Sequence, residues 1–238
     1  MAARLRVLGS AWQPLLGQAV DALAAGGLQL GALWPAPEQR RASLERLGRL
    51  LDRVVTWNAR MDLTAARDER ELVDLFLADA LVLAAEGARG GGSAQPWVDV
   101  GSGAGAPGLA LALLWPVPAL TLVEPRQKRV AFLRSAAGSF GETAGVRIVE
   151  GRSSLVSAAE HDVALSRATF SPEEWLIEGA RLARRQVWVL LARAAPPVLA
   201  GWHATRQLDY EWPLTGVGRR AIAFAPDADD AEAPAVAS

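Results

Sequence analysis

The segment Val98-Asp99-Val100-Gly101-Ser102-Gly103-Ala104-Gly105-Ala106-Pro107-Gly108 restricts the possible folds more than any other part of the chain. A short β-type run passes directly into a glycine-rich turn and then into an apolar helical stretch. Glycine lets the backbone approach a ligand closely, and the helix that follows presents unpaired N–H groups, so a nucleotide-like ligand is expected here. At the end of the next apolar run stands Glu124, 23 residues beyond Gly101, where a carboxylate can accept both hydrogen bonds of a ribose diol. Gly101, Gly103 and Ala106 also satisfy the relaxed dinucleotide pattern G-x-G-x-x-A, so the turn alone does not choose the cofactor. Asp99, two residues before the first glycine, suits a cofactor with a cationic ammonium or sulfonium end better than the anionic pyrophosphate of NAD. The other reading of Asp99 is a strand-end acid that only orders the turn by accepting backbone N–H bonds.

From Trp97 onward the same alternation continues. Short apolar runs at Trp97–Val100, Ala119–Val123, Val146–Val149, Val163–Leu165 and Val187–Leu191 are separated by helical patterns. This predicts an α/β fold with a doubly wound, mostly parallel sheet covered on both faces. Lys128–Ala137 reads as a helix closed by Gly138. Ser171, Pro172 and Glu174 supply an N-cap, a first-turn proline and a capping-box acid for another. Gln207–Trp212 and Arg220–Phe224, around Thr215-Gly216-Val217-Gly218, predict an antiparallel hairpin at the sheet edge.

Upstream, Leu44, Leu47, Leu51, Val54 and Asn58 share one face of a helix over 41–62. Arg46, Arg49, Arg53 and Arg60 fall on its other side, a stripe that suits phosphate but more commonly marks a solvated face. Asp68 with Glu71 opens a further helix whose apolar face is Leu72, Phe76, Ala80 and Leu83. The chain therefore divides into an extension of helical character (1–40), a helical region ending in a linker from Gly87 to Gln95 (41–95), the α/β core (96–225) and an acidic, disordered tail (226–238).

Charge and composition narrow the function. Lys and Arg number 25 against 26 Asp and Glu, and 51% of residues are hydrophobic, which excludes both a disordered chain and a strongly basic nucleic-acid coat. With no cysteine, disulfides, zinc–thiolate sites and thiol nucleophiles are absent, and a reducing, cytoplasmic setting is allowed. Val100 to Val123 carries no charge over 24 residues, yet its glycines and prolines read as loop, helix and strand rather than one membrane span. Arg4 and Arg6 before an apolar run faintly suggest a secretory signal, but Gln13, Pro14 and Gln18 interrupt it, so a helical extension is expected. No metal-ligand cluster and no Ser-His-Asp arrangement is evident.

The segment from Asp99 to Gly108 resembles the first motif of class I S-adenosylmethionine methyltransferases, and more closely that of the glucose-inhibited division protein B family. Trp57-Asn58, Leu63-Thr64 and Arg67-Asp68 resemble that family's N-terminal helical signature. Lys128-Arg129-Val130 with Phe132-Leu133-Arg134 is similar to its helix after the second strand, Ser166-Arg167-Ala168 to its fourth-strand motif, and Gly216 to Ile222 to its closing hairpin. The resemblance runs from Leu44 to Phe224 and implies a class I, Rossmann-like methyltransferase. It implies that S-adenosylmethionine is the cofactor and that the target is ring nitrogen 7 of a guanine in 16S ribosomal RNA of the small subunit.

Carried over by position, Asp99, Gly101, Gly103 and Ala106 belong to the cofactor turn and Glu124 to the ribose. Ser153 and Ser154 lie beside the adenine, and Arg167 closes the pocket. Arg67, Arg129 and Arg219 become candidates for the RNA. The family commonly carries Val-Glu or Ala-Glu at Ser153-Ser154, Arg-His at Leu75-Phe76, and Lys-Gly where Ala192 begins the pair. The cofactor half thus follows the pattern better than the RNA-facing half. Guanine's ring nitrogen 7 has an in-plane lone pair and no proton, so methylation there needs alignment and no general base. His161 and His203 are accordingly read as surface or loop residues, and the tryptophans in strands and helices as core.

Overall fold

The computed structural model describes residues 5–90, 95–115, 117, 119–192 and 194–227. Its apolar runs form seven strands: β1 (Pro96–Val100), β2 (Ala119–Glu124), β3 (Val146–Glu150), β4 (His161–Ser166), β5 (Ala183–Leu191), β6 (Trp202–Glu211) and β7 (Gly218–Pro226). They join in one sheet of order β3-β2-β1-β4-β5-β7-β6. The first five are parallel; β7 runs antiparallel to β5, and β6 antiparallel to β7. The order reverses at β1, whose two neighbours are β2 and β4. In doubly wound sheets a ligand crevice opens at such a switch point, beyond the carboxyl ends of the strands.

Side-chain alternation assigns the faces. Trp97 of β1, Leu120 and Leu122 of β2 and Trp188 of β5 join one buried cluster, whereas Val98, Val100, Val123 and Val187 join another. The period of two residues puts successive positions on opposite faces, and both faces are covered. The first cluster packs under α1 (Trp12–Ala25), α2 (Pro37–Asn58), α3 (Glu69–Arg89), α4 (Gly108–Leu114) and α5 (Gln127–Ala137); the second packs under α6 (Pro172–Leu182).

The helix ends follow local chemistry. Asp68 accepts from the Glu71 N–H at 2.9 Å at the start of α3, and Ser171 and Glu174 form the reciprocal capping box of α6. Pro37 occupies the first turn of α2, which therefore begins before the expected residue 41. Gly87, expected to open the linker, is instead helical. A Cβ there would collide with the Trp115 ring, so this glycine serves close packing of α3 against the segment after α4. Residues 91–94 of that linker, and 228–238 of the acidic tail, lie outside the described residues. Pro226 ends β7, and the Asp227 N–H donates to the Gly201 carbonyl at 2.8 Å.

The extension is tied to the body. Trp12 is fully buried, and its indole N–H donates to Asp52 of α2 at 2.6 Å. Two arginines of the α2 stripe, Arg46 and Arg53, turn toward neighbouring elements, while Arg49 stays exposed as a solvated face requires. Arg46 donates to the Leu113 carbonyl at 3.1 Å, Arg53 to the Ser135 carbonyl at 3.0 Å, and Arg49 lies over the Phe140 ring at 5.5 Å. Arg46 and Arg53 cap backbone carbonyls of neighbouring elements, which periodicity within one helix does not reveal. Arg60, beyond the end of α2, is exposed.

Candidate cofactor and substrate site

The glycine turn follows β1 at the switch point. Gly101, Gly103 and Gly105 hold φ of +77°, +57° and +89°, the left-handed region that side chains resist. The turn is pinned from β2, because the N–H groups of Gly101 and Ser102 donate to the Val123 carbonyl at 2.8 and 3.1 Å. Two buried carboxylates hold it from below. Glu124 accepts from the N–H of Gly103 and from that of Arg126, both at 2.9 Å. Asp99, fully buried, accepts from the Gly108 N–H at 3.1 Å, while its other oxygen has no partner. Burial pushes the Asp99 carboxyl up to about 7, against the opposing hydrogen bond from Gly108.

Above the turn lies a cleft of about 440 Å³. Gly101, Gly103, Ala104 and Ala106 supply one side, and Leu63 to Ala66 with Leu75 and Phe76 of α3 supply another. Arg167, Ala168 and Thr169 after β4, Arg129 of α5, Glu71 and Trp212 complete it. At Gly103 an added Cβ would find only Arg129 Nη1 and the Gly101 carbonyl, each 3.8 Å away, so the turn leaves room for a ligand.

The residues expected at the site divide into those that line this cleft and those that do not. Gly101, Gly103, Ala106, Arg129 and Arg167 line it. Asp99 and Glu124 sit beneath the turn, at 0% and 2% exposure. Ser153 and Ser154 begin a short 3-10 turn after β3, outside the cleft wall, where the Ser153 carbonyl accepts from Arg181 at 3.0 Å. Arg67 is exposed and bonds Glu71 through two guanidinium nitrogens at 3.2 and 2.9 Å. That pairing also holds the Glu71 carboxyl below its ordinary range. Arg219 stacks over the Trp212 ring at 3.9 Å and, with Ala192, lines a neighbouring cleft of about 480 Å³.

Sequence reasoning missed what holds Arg167. Its guanidinium donates to the Leu75 carbonyl at 2.6 Å and to Asp79 at 3.1 Å. Asp79 is 1% exposed and also accepts from the Tyr210 hydroxyl at 2.7 Å. Burial and the adjoining Asp79 charge push the Tyr210 phenol well above its ordinary range. One helical turn earlier, Asp74 accepts from the Leu214 N–H at 3.0 Å and the Thr215 hydroxyl at 2.7 Å. The signal was present: two acids interrupt the apolar run from Leu72 to Ala85, and a carboxylate on a buried face requires partners.

His161 departs from its expected surface position. It starts the central strand β4, is 3% exposed and bonds Thr121 at 2.9 Å, and burial lowers its affinity for a proton. His203 is exposed and bonds Asp227 at 2.7 Å. Among the described residues, no group of three His, Cys, Asp or Glu side chains stands where it could hold a metal, and no helix is long and apolar enough to cross a membrane.

The model of the GidB family, rRNA small subunit methyltransferase G, matches residues 43–197. This chain belongs to that family. The match takes in most of α2, all of α3, the glycine turn, Glu124 and Arg167. The rRNA small subunit methyltransferase G of Neisseria gonorrhoeae (strain NCCP11945) is 38% identical over 143 residues, 59% of this chain and 66% of that protein. The protein of the same name in Myxococcus xanthus (strain DK1622) is 32% identical over 220 residues, 87% of this chain and 97% of that one. Among solved structures, magnesium protoporphyrin IX methyltransferase of Synechocystis PCC 6803 aligns at 14% identity with a TM-score of 0.55. The alignment covers 74% of this chain and 90% of the other. That likeness shows the fold, the class I, Rossmann-like methyltransferase sheet with its antiparallel edge.

Proposed function

We propose that this chain is an S-adenosylmethionine-dependent methyltransferase acting on ring nitrogen 7 of a guanine in 16S ribosomal RNA, as the free RNA or the assembled small subunit, in the cytoplasm. The observation that carries the reading is the ligand-accessible glycine turn at the switch point of a chain of this family. Bound S-adenosylmethionine supplies an electrophilic methyl on a sulfonium. Transfer of that methyl to the guanine nitrogen would use the nitrogen lone pair for the new bond and leave the carbon–sulfur pair on sulfur, and the guanine would have no proton to lose.

The residues present fit that cofactor. Each Glu124 oxygen accepts one backbone N–H, and a carboxylate offers about four lone-pair sites, so acceptor capacity remains for a ribose diol. The unpartnered, buried Asp99 oxygen is an acceptor that a nearby cation would favour. Gly101 and Gly103 present backbone to the ligand, Arg167 closes the cleft, and Ser153 and Ser154 are assigned beside the adenine. Leu75, Phe76 and Trp212 give the cleft apolar walls. The ionisable side chains of the cleft are Glu71, Arg129 and Arg167, and Glu71 is held ionised by Arg67. No histidine lines it, in keeping with a reaction that needs alignment and no base.

A second reading, a methyltransferase of this fold with another substrate, is favoured by Leu75, Phe76 and Ala192, which replace polar family positions. The deciding experiment mixes the protein with methyl-labelled S-adenosylmethionine and small ribosomal subunits lacking base modification, then digests the RNA. Labelled 7-methylguanosine is the expected product. A different labelled nucleoside would transfer the assignment to the second reading, and cofactor binding without transfer to RNA would leave a non-catalytic cofactor-binding protein.

A further inference from the structure

A second cleft, of about 630 Å³, opens between the end of α2 and the start of α5. Arg60, Arg126, Lys128 and Arg129 line it, opposed by one acid, Asp62. Among the described residues none of these four cations takes part in an ion pair or a side-chain hydrogen bond. Outside this cleft, most described cations are partnered, with exposed Arg152 an isolated exception. Arg67 is committed to Glu71, Arg219 to the Trp212 ring, and Arg53 to Ser135. Arg60, Arg126 and Lys128 are exposed, so their charges remain hydrated and available.

The backbone adds to the same potential. The 11-residue helix α5 starts at this cleft with no side-chain cap and no acid in its first turn; Glu124 takes the Arg126 N–H from the glycine-turn side, and the other first-turn N–H groups keep the positive end of the dipole toward the cleft. Leu63 and Arg129 line both this cleft and the one over the glycine turn, so the two adjoin. We infer that the phosphodiester backbone flanking the target guanine runs through the cleft between α2 and α5, with Arg60, Arg126 and Lys128 on its phosphates and Arg129 at the junction with the methyl-transfer site. The inference rests on the RNA methyltransferase reading above and adds where the RNA lies.

Its test is a charge-neutralised variant, Arg60→Gln/Arg126→Gln/Lys128→Gln, which spares Arg129 because that residue lines the cofactor cleft. For single-stranded RNA each phosphate contact contributes roughly −0.7 to the slope of log affinity against log salt. The triple variant is therefore expected to bind a short single-stranded guanine-containing RNA with a slope shallower by about 2. Its KM for unmodified small subunits should rise, with kcat and the dissociation constant for S-adenosylmethionine unchanged. Unchanged cofactor binding also establishes that the variant is folded. If the wild-type protein methylates RNA and the variant keeps its KM and slope, the cleft assignment is overturned while the activity stands. If the wild-type protein binds cofactor but neither binds nor methylates RNA, both fall together. A slope change equal to that of Arg67→Gln/Arg219→Gln would also overturn it, because the unpaired cations would then count no more than the paired ones.

Discussion

Replacing Asp79 by alanine should remove about 3–5 kcal/mol of folding stability, the range for breaking a buried charge pair by deleting one partner. The structure supports that size. Asp79 is 1% exposed and accepts two bonds of ordinary length, from the Tyr210 hydroxyl at 2.7 Å and Arg167 at 3.1 Å. Bonds to a charged group contribute roughly 1.5–3 kcal/mol each, giving ~3–6 together. The third approach, Trp212 Nε1 at 3.4 Å, is too long to add much. Arg167 keeps the Leu75 carbonyl and is 17% exposed in its side chain, so part of its loss is offset by that bond and by water. For a chain of this size each kcal/mol moves the melting temperature by ~2–4 °C, so a fall of roughly 6–20 °C is expected. Urea and thermal unfolding followed by tryptophan fluorescence would measure it. Tyr210→Phe supplies the control: in the double variant the two losses should fall short of additive by ~1 kcal/mol or more. A loss below ~1 kcal/mol for Asp79→Ala, strictly additive with Tyr210→Phe, would refute the argument that this carboxylate is a buried, paired charge.

Other expectations follow from the turn and its supports. Gly101→Val should abolish S-adenosylmethionine binding in calorimetry, because the residue holds φ +77° and a side chain would collide with Thr169; retained affinity would show that the turn is misassigned. Glu124→Ala should weaken cofactor binding by roughly 10- to 150-fold, equivalent to ~1.5–3 kcal/mol of charge-assisted hydrogen bonding, and an unchanged dissociation constant would remove the ribose role. Asp99, pushed up to about 7 from an ordinary 3.8, favours the protonated form when folded. Its contribution to stability is therefore present at low pH and lost as pH rises through that interval. Asp99→Asn should accordingly gain on the wild-type chain between pH 4 and 7, by at most ~1.4 kcal/mol per pH unit, as read from urea unfolding at several pH values. A pH-independent difference would show that Asp99 ionises normally.

Strands and caps were legible because they depend on short-range pattern. Val98 and Val100 alternate with Trp97 and Asp99 as a two-faced strand requires, and Ser171-Pro172 with Glu174 announces α6 within four positions. The glycine turn was legible for the same reason, since strand, turn and helix are contiguous. What stayed hidden depends on pairs far apart in sequence. Asp79 meets Tyr210 across 131 positions and Asp74 meets Thr215 across 141, and no local pattern names such partners. The arginine stripe of α2 was equally opaque. Whether Arg53 faces solvent or the Ser135 carbonyl is decided by α5, 82 positions away. Arg67 and Arg219 looked like Arg129 in sequence, and only their neighbours distinguish two partnered cations from an unpartnered one.

The hairpin of β6 and β7 also has a consequence for how the chain is made. Synthesis proceeds from the N-terminus, and α3 leaves the ribosome with Asp74 and Asp79 more than a hundred residues ahead of Tyr210, Leu214 and Thr215. Until that hairpin arrives, Asp74 lacks the Leu214 and Thr215 donors and Asp79 has only Arg167, so α3 is expected to stay hydrated on the side that will face the hairpin. Nascent or truncated chains ending before β6 would expose that side to proteases and chaperones. Completion of the methyl-transfer cleft is thereby tied to completion of the hairpin, and limited proteolysis of ribosome-bound nascent chains of increasing length would show α3 becoming protected only after Thr215 has emerged.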